Sequence, residues 1–104
     1  MRNYWYDRQG QPIDTAKANE LLGDMEYKRV ALHEENGYRV STVWLGADHN
    51  FMAAGPPLLF ETMIFGPDDW QGEYIERWPT EAAALAGHDR AVEHLRADIL
   101  GGGS

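Results

Sequence analysis

The chain has 104 residues, 9 Lys and Arg against 17 Asp and Glu, a formal net charge of −8 and a pI near 4.8. That length fits one domain, while 43% hydrophobic residues and four tryptophans exclude a disordered tail. The absence of cysteine excludes a disulfide framework, a thiolate zinc site and a cysteine nucleophile.

Tyr4-Trp5-Tyr6-Asp7 opens with bulky aromatic residues of strong β preference, and Gln9-Gly10-Gln11-Pro12 reads as a turn. Asp14 or Thr15 can cap a helix over residues 16–22, because a side-chain oxygen there satisfies free amide groups. Gly23 is the expected stop, in the left-handed conformation that is easiest without a Cβ. Asn36-Gly37 is the preferred pair for a type I′ turn, and it joins a strand over 27–34 to one over 38–45. That loop sets Glu35 opposite Tyr38, Glu34 opposite Arg39, Leu32 opposite Ser41 and Val30 opposite Val43. We assign the face carrying Val30, Leu32, Val43 and Leu45 to the helix-packed core; Ala31, His33, Val40 and Trp44 take a semi-exposed face.

Residues 46–57 form a long connection, closed by Gly55-Pro56-Pro57, which excludes regular structure there. Residues 58–65 are a largely apolar strand, expected at the centre of the sheet. Residues 66–72 are turn chemistry throughout, and 73–78 make a short last strand. Thr80 can cap a final helix running from Glu81 to about Leu100, where Leu85, His88, Val92, Leu95 and Ile99 recur at helical spacing beside Ala84 and Ala91. The expected fold class is α+β: an antiparallel sheet of three to five strands, with a short N-terminal helix and a long C-terminal helix on one face. Residues 1–100 form the single domain and 101–104 a flexible Gly/Ser tail.

The charge is unevenly placed. Acids and bases balance over residues 1–30, whereas residues 61–81 hold Glu61, Asp68, Asp69, Glu73, Glu76 and Glu81 against Arg77 alone. Direct nucleic-acid binding rests on clustered Lys and Arg, so this distribution argues against it. A one-signed patch steers opposite charge and so suits a basic partner; the plainer reading is that net charge keeps a small protein in solution. No apolar stretch approaches the roughly 18 residues of a membrane helix, and no signal peptide opens the chain. The expected setting is cytoplasmic, without a membrane.

Among candidate sites, Asp48-His49 lies in the long connection, where an Asp can orient a His base or ligand. The structural alternative is an Asp that closes a turn. His88 sits on the apolar stripe of the last helix, either as a core histidine or as a group meeting His49 or Glu61 across the sheet. Glu61 interrupts an apolar strand, so it must face solvent, pair with Arg77 or Arg39, or do acid–base work. No His-Glu-x-x-His, Gly-x-Gly-x-x-Gly or nucleophile elbow occurs, so no metal, cofactor or catalytic residue is expected. Phe51 and Trp70, near Asp48, Asp68 and Asp69, could form a protein-binding hot spot; otherwise they cap the ends of the sheet.

Three stretches carry a resemblance: Ser41-Thr42-Val43-Trp44-Leu45-Gly46-Ala47-Asp48-His49, then Gly55-Pro56-Pro57-Leu58-Leu59-Phe60-Glu61-Thr62-Met63-Ile64-Phe65, then Thr80-Glu81 through Ala86-Gly87-His88-Asp89. With them the chain resembles a group of small, mostly uncharacterised proteins encoded by bacteriophages and prophages. Members tend to have Leu where Ala47 stands and more acids after Thr80. The resemblance implies life in the cytoplasm of an infected bacterium and implies no catalytic residue. By analogy it implies a non-enzymatic accessory protein that binds a basic host protein, such as a defence nuclease of the CRISPR effector kind. The expected contact residues are Glu61, Asp68, Asp69, Trp70, Glu73 and Glu76, with Asp48, His49 and Phe51 as a loop site. The alternatives are a small metal-binding or hydrolytic enzyme using His49, Glu61 and His88, and a virion-associated module. Homodimerisation through a sheet edge is compatible with all three.

Overall fold

Asn36 and Gly37 turn the chain at φ values of 53° and 80°, the positive values that a type I′ hairpin requires. They join β3 (Arg29–Glu35) to β4 (Tyr38–Trp44), the first half of a four-stranded antiparallel sheet. The computed structural model describes residues 5–52 and 54–99, with side chains except at 69–74 and 98–99. The sheet continues through β5 (Phe60–Gly66) to β6 (Asp69–Trp78) in the order β3-β4-β5-β6, so β5 is central as its apolar sequence predicts. Before the sheet come β1 (Trp5–Tyr6), β2 (Pro12–Ile13), α1 (Thr15–Leu22) and α2 (Met25–Lys28); after it comes α3 (Glu81–Ile99). The fold is α+β, with the long C-terminal helix packed against the sheet.

The hairpin register agrees with expectation near the turn, with Glu35 facing Tyr38, Glu34 facing Arg39 and Leu32 facing Ser41. Further out it does not. A shift between Arg29 and Ala31 puts Arg29, not Val30, opposite Val43. An inserted residue of this kind re-aims the strand, and Val30 packs instead beside the buried cluster around Trp44. The strand also starts later than expected, because Asp24 caps α2 by accepting from the backbone of Glu26 and Tyr27.

The core lies on the opposite face from the one assigned. Val40, Thr42 and Trp44 are fully buried with Phe60 and Thr62 of β5, and Ile64 and Trp78 are nearly so, while Leu32 is exposed and Val43 only half-buried. Against this face α3 sets Ala84, His88, Ala91, Val92 and Leu95. The two faces of the hairpin are about equally apolar, so periodicity cannot choose between them. Pairing chooses: Trp44 stands beside Phe60, and Phe60 beside Trp78, which builds one continuous aromatic row under the helix.

Leu58 and Leu59 precede β5 rather than belonging to it, although the Leu59 N–H still reaches the Trp78 carbonyl at 3.0 Å. The stretch read as turn shrinks to Pro67 and Asp68, and β6 begins at Asp69. Pairing of Gly66 with Asp69 and of Ile64 with Tyr74 leaves the intervening residues of β6 as an irregularity within the strand. Strand pairing therefore absorbs residues whose local preference was for a turn.

Asp14 caps α1 by accepting from the Lys17 amide at 2.8 Å. Gly23 ends that helix at φ −80°, so its conformation is right-handed, not left-handed. Thr80 caps α3 through the Ala83 amide at 3.1 Å. Leu85 turns outward and Ala84 inward, where α3 runs close over the sheet. Gly87 makes this approach tolerable: a Cβ there would run into the Trp78 ring. The β1–β2 hairpin closes the open end of the core, where the Trp44 indole donates to the Tyr6 carbonyl at 2.9 Å. Tyr4 and residues 101–104 lie outside the described residues.

Candidate functional site

The acidic segment spans β5, the following turn, β6 and the start of α3. Its charges do not form one face. Glu61 accepts from the Arg77 guanidinium at 3.0 Å across the β5–β6 pair, so it is a paired structural carboxylate. Glu76 stands opposite Thr62 and Arg77 opposite Glu61, which places Glu76 and Glu61 on opposite faces of the sheet. Asp68 is exposed at the turn, and Glu76 is exposed on a strand at the sheet edge. Glu81 is engaged elsewhere, holding Arg8 at 2.6 Å. Asp69, Trp70 and Glu73 fall in β6, with side chains outside the described ones.

The connection between β4 and β5 is ordered by its own polar groups. Asp48 accepts from the amides of Asn50 at 2.7 Å and Leu58 at 2.9 Å. The Asn50 amide nitrogen donates to the carbonyls of Ala54 at 3.3 Å and Pro56 at 2.8 Å, and its oxygen accepts from the Met52 amide at 2.9 Å. His49 donates from Nδ1 to the Ala47 carbonyl at 2.9 Å, and its backbone amide donates to the Leu58 carbonyl at 2.9 Å. Asp48 thus closes the loop and does not orient His49. The loop presents Phe51 and Met52, which are 83% and 77% exposed. The loop that carries Phe51 leads into β5 and the Pro67-Asp68 turn follows it, with a seven-residue strand of roughly 20 Å between them. The hot spot expected of Phe51 and Trp70 beside Asp48, Asp68 and Asp69 is thus divided between the two ends of β5, with the side chains of Asp69 and Trp70 outside the described ones. Sequence reasoning singled out Phe51 and missed Met52; the Asp48-His49-Asn50 turn chemistry was the available signal for a loop with a fixed tip.

His88 belongs to the core. Its Nδ1 lies 2.8 Å from Thr42 Oγ1, which lies 2.6 Å from Thr62 Oγ1, which accepts from Trp78 Nε1 at 3.0 Å. Burial pushes the imidazole below the ordinary histidine value; Asp89 opposes that shift and His33 adds to it. The two threonines gave no sequence signal, because only the pairing of Thr42 with Thr62 across β4 and β5 makes them neighbours. At the edge of this region, Leu32, His33, His88, Asp89, Val92, Glu93 and Arg96 line an open groove of about 370 Å³ between β3 and α3. Glu35 accepts there from His33 at 2.9 Å and Arg96 at 3.0 Å. These two contacts, His33 first, hold its carboxyl below the usual carboxylate range.

The expected alternative site of His49, Glu61 and His88 does not assemble. His88 bonds to Thr42 on the helix side of the sheet, Glu61 pairs on the other side, and His49 is tied to its loop. Among the described residues, no group of three or more His, Asp or Glu is placed to hold a metal ion, and no helix is long and apolar enough to cross a membrane. No family model, curated protein or solved structure matches the chain.

Proposed function

We propose that the protein is a non-enzymatic, phage-type accessory protein that captures a basic host protein in the bacterial cytoplasm. The observation that carries this reading is the concentration of six acids against Arg77 alone between Glu61 and Glu81. Exposed Asp68 and Glu76 on the hairpin at the sheet edge are its accessible part, with Asp69 and Glu73 between them in sequence. Glu61 contributes less, because Arg77 already neutralises it. A groove that holds nucleic acid is basic, so a host defence nuclease such as a CRISPR effector offers the complementary surface. The engagement of His49, Glu61 and His88 in structural contacts weighs against the hydrolytic alternative.

The test is affinity capture from infected host cells, read by mass spectrometry. It compares the native chain with a variant in which Asp68, Asp69, Glu73 and Glu76 are replaced by lysine. The native chain should retain one dominant basic host protein and the variant should lose it, with circular dichroism and the unfolding midpoint little changed. Equal capture by a folded variant overturns the reading.

A further inference from the structure

The polar chain buried under α3 has a direction. An indole N–H only donates, so Trp78 Nε1 fixes Thr62 Oγ1 as its acceptor. The Thr62 hydroxyl hydrogen then finds its acceptor in Thr42 Oγ1 at 2.6 Å, and the Thr42 hydrogen finds His88 Nδ1 at 2.8 Å. Every hydrogen in that sequence has a partner, provided Nδ1 carries none. If His88 Nδ1 held a proton, Thr42 would accept from it and donate to Thr62. Thr62 would then accept from both sides, and its own hydrogen would be left without a partner in a fully buried position.

We infer that the Trp78–Thr62–Thr42 chain holds His88 as the neutral Nε2–H tautomer and makes it an acid-sensitive latch between α3 and the sheet. Protonation of His88 reverses the chain, strands the Thr62 hydroxyl hydrogen and places a cation on a side chain that is 6% exposed. His88 itself lines the open groove between β3 and α3. The charged and titratable groups around it are Asp89, Glu93 and Arg96 on α3 and His33 with Glu35 on β3. From β4, β5 and β6 the ring's chain meets uncharged Thr42, Thr62 and Trp78, with Glu76 opposite Thr62. Asp89 favours the cation and His33 disfavours it, so the balance is left to burial and to the stranded hydrogen. Acid should therefore loosen the helix from the sheet without any ligand.

Long-range proton–nitrogen NMR of the whole chain reads the tautomer directly. At pH 7.5 His88 should show a protonated Nε2 and a bare Nδ1. The unfolding midpoint should fall by about 4 °C or more between pH 7.5 and pH 5.0. In His88→Asn, whose oxygen can take the place of Nδ1 as acceptor, at least half of that fall should vanish. A protonated Nδ1 in the native chain overturns the inference, as does an equal fall in a folded His88→Asn. If that variant does not fold, the tautomer measured in the native chain decides.

Discussion

Gly87 sits in the middle of α3, where alanine is ordinarily the more stable choice by about 1 kcal/mol. Here the sign should reverse, because the added methyl meets the Trp78 ring and that ring is itself packed. Gly87→Ala should cost about 1–3 kcal/mol in a denaturant titration, the range for an overfilled core; a stabilised variant would show that the helix slides at no cost. Trp44 is the second residue whose role is set by one neighbour, since its indole donates to the Tyr6 carbonyl in the cluster that closes the core. Trp44→Phe should lose about 1–3 kcal/mol, through the unpaired carbonyl and the smaller ring. The sequence marked Trp44 as a large aromatic but placed it on the wrong face. Gly87 carried no local signal, because Trp78, the residue that demands it, meets it only once α3 has folded back over β6.

Between elements, two side-chain clusters tie the pieces that strand pairing leaves loose. Arg8 follows β1, donates to Glu81 at 2.6 Å and to the Tyr27 carbonyl at 3.2 Å, and so links the first hairpin to α2 and α3. Arg8→Ala should lower stability by about 1–2 kcal/mol while leaving the four-stranded sheet intact, as amide exchange would show. Glu35 performs the same task at the other edge, joining β3 to Arg96 of α3. Its folded carboxyl titrates below its unfolded value, so the unfolded state binds the extra proton as pH falls. The contact therefore stabilises above about pH 4.5, and that contribution is lost as acid titrates the folded group. Glu35→Gln should flatten the acid limb of the stability curve below about pH 4.5, read as the unfolding midpoint against pH. The Asp14 and Thr80 caps and the Asn36-Gly37 turn were legible from local chemistry, whereas α2 and its Asp24 cap were not, and the end of α2 was read as the start of a strand. The start of β6 was not legible either, since its pairing with β5 overrides local turn preference.

At the scale of the whole molecule the chain carries a formal net charge of −8. If capture of a basic partner rests on it, raising salt from about 0.1 M to about 1 M shortens the Debye length from roughly 10 Å to roughly 3 Å. Capture should then weaken several-fold, mostly through slower association. Salt-insensitive binding would instead point to Phe51 and Met52, which carry no charge and belong to the loop that leads into β5. The candidate surface was legible in the sequence as a location but not as a shape. Glu61 and Glu76 are close in number, yet strand alternation sends them to opposite faces.

The sequence by itself determined the α+β class, the hairpin turn, the Asp14 and Thr80 caps and the region where acid accumulates. The turn and the caps depend on residues within a few positions of one another, and the class and the acidic region on the order of such local signals along the chain. Only the tertiary structure decided which face of the sheet is the core, where β6 begins, and that His88 joins a chain of threonines and an indole. The His88 chain depends on partners 16 to 46 residues apart, and the core face and the start of β6 depend on how β4, β5 and β6 pair, which no local pattern reports beforehand.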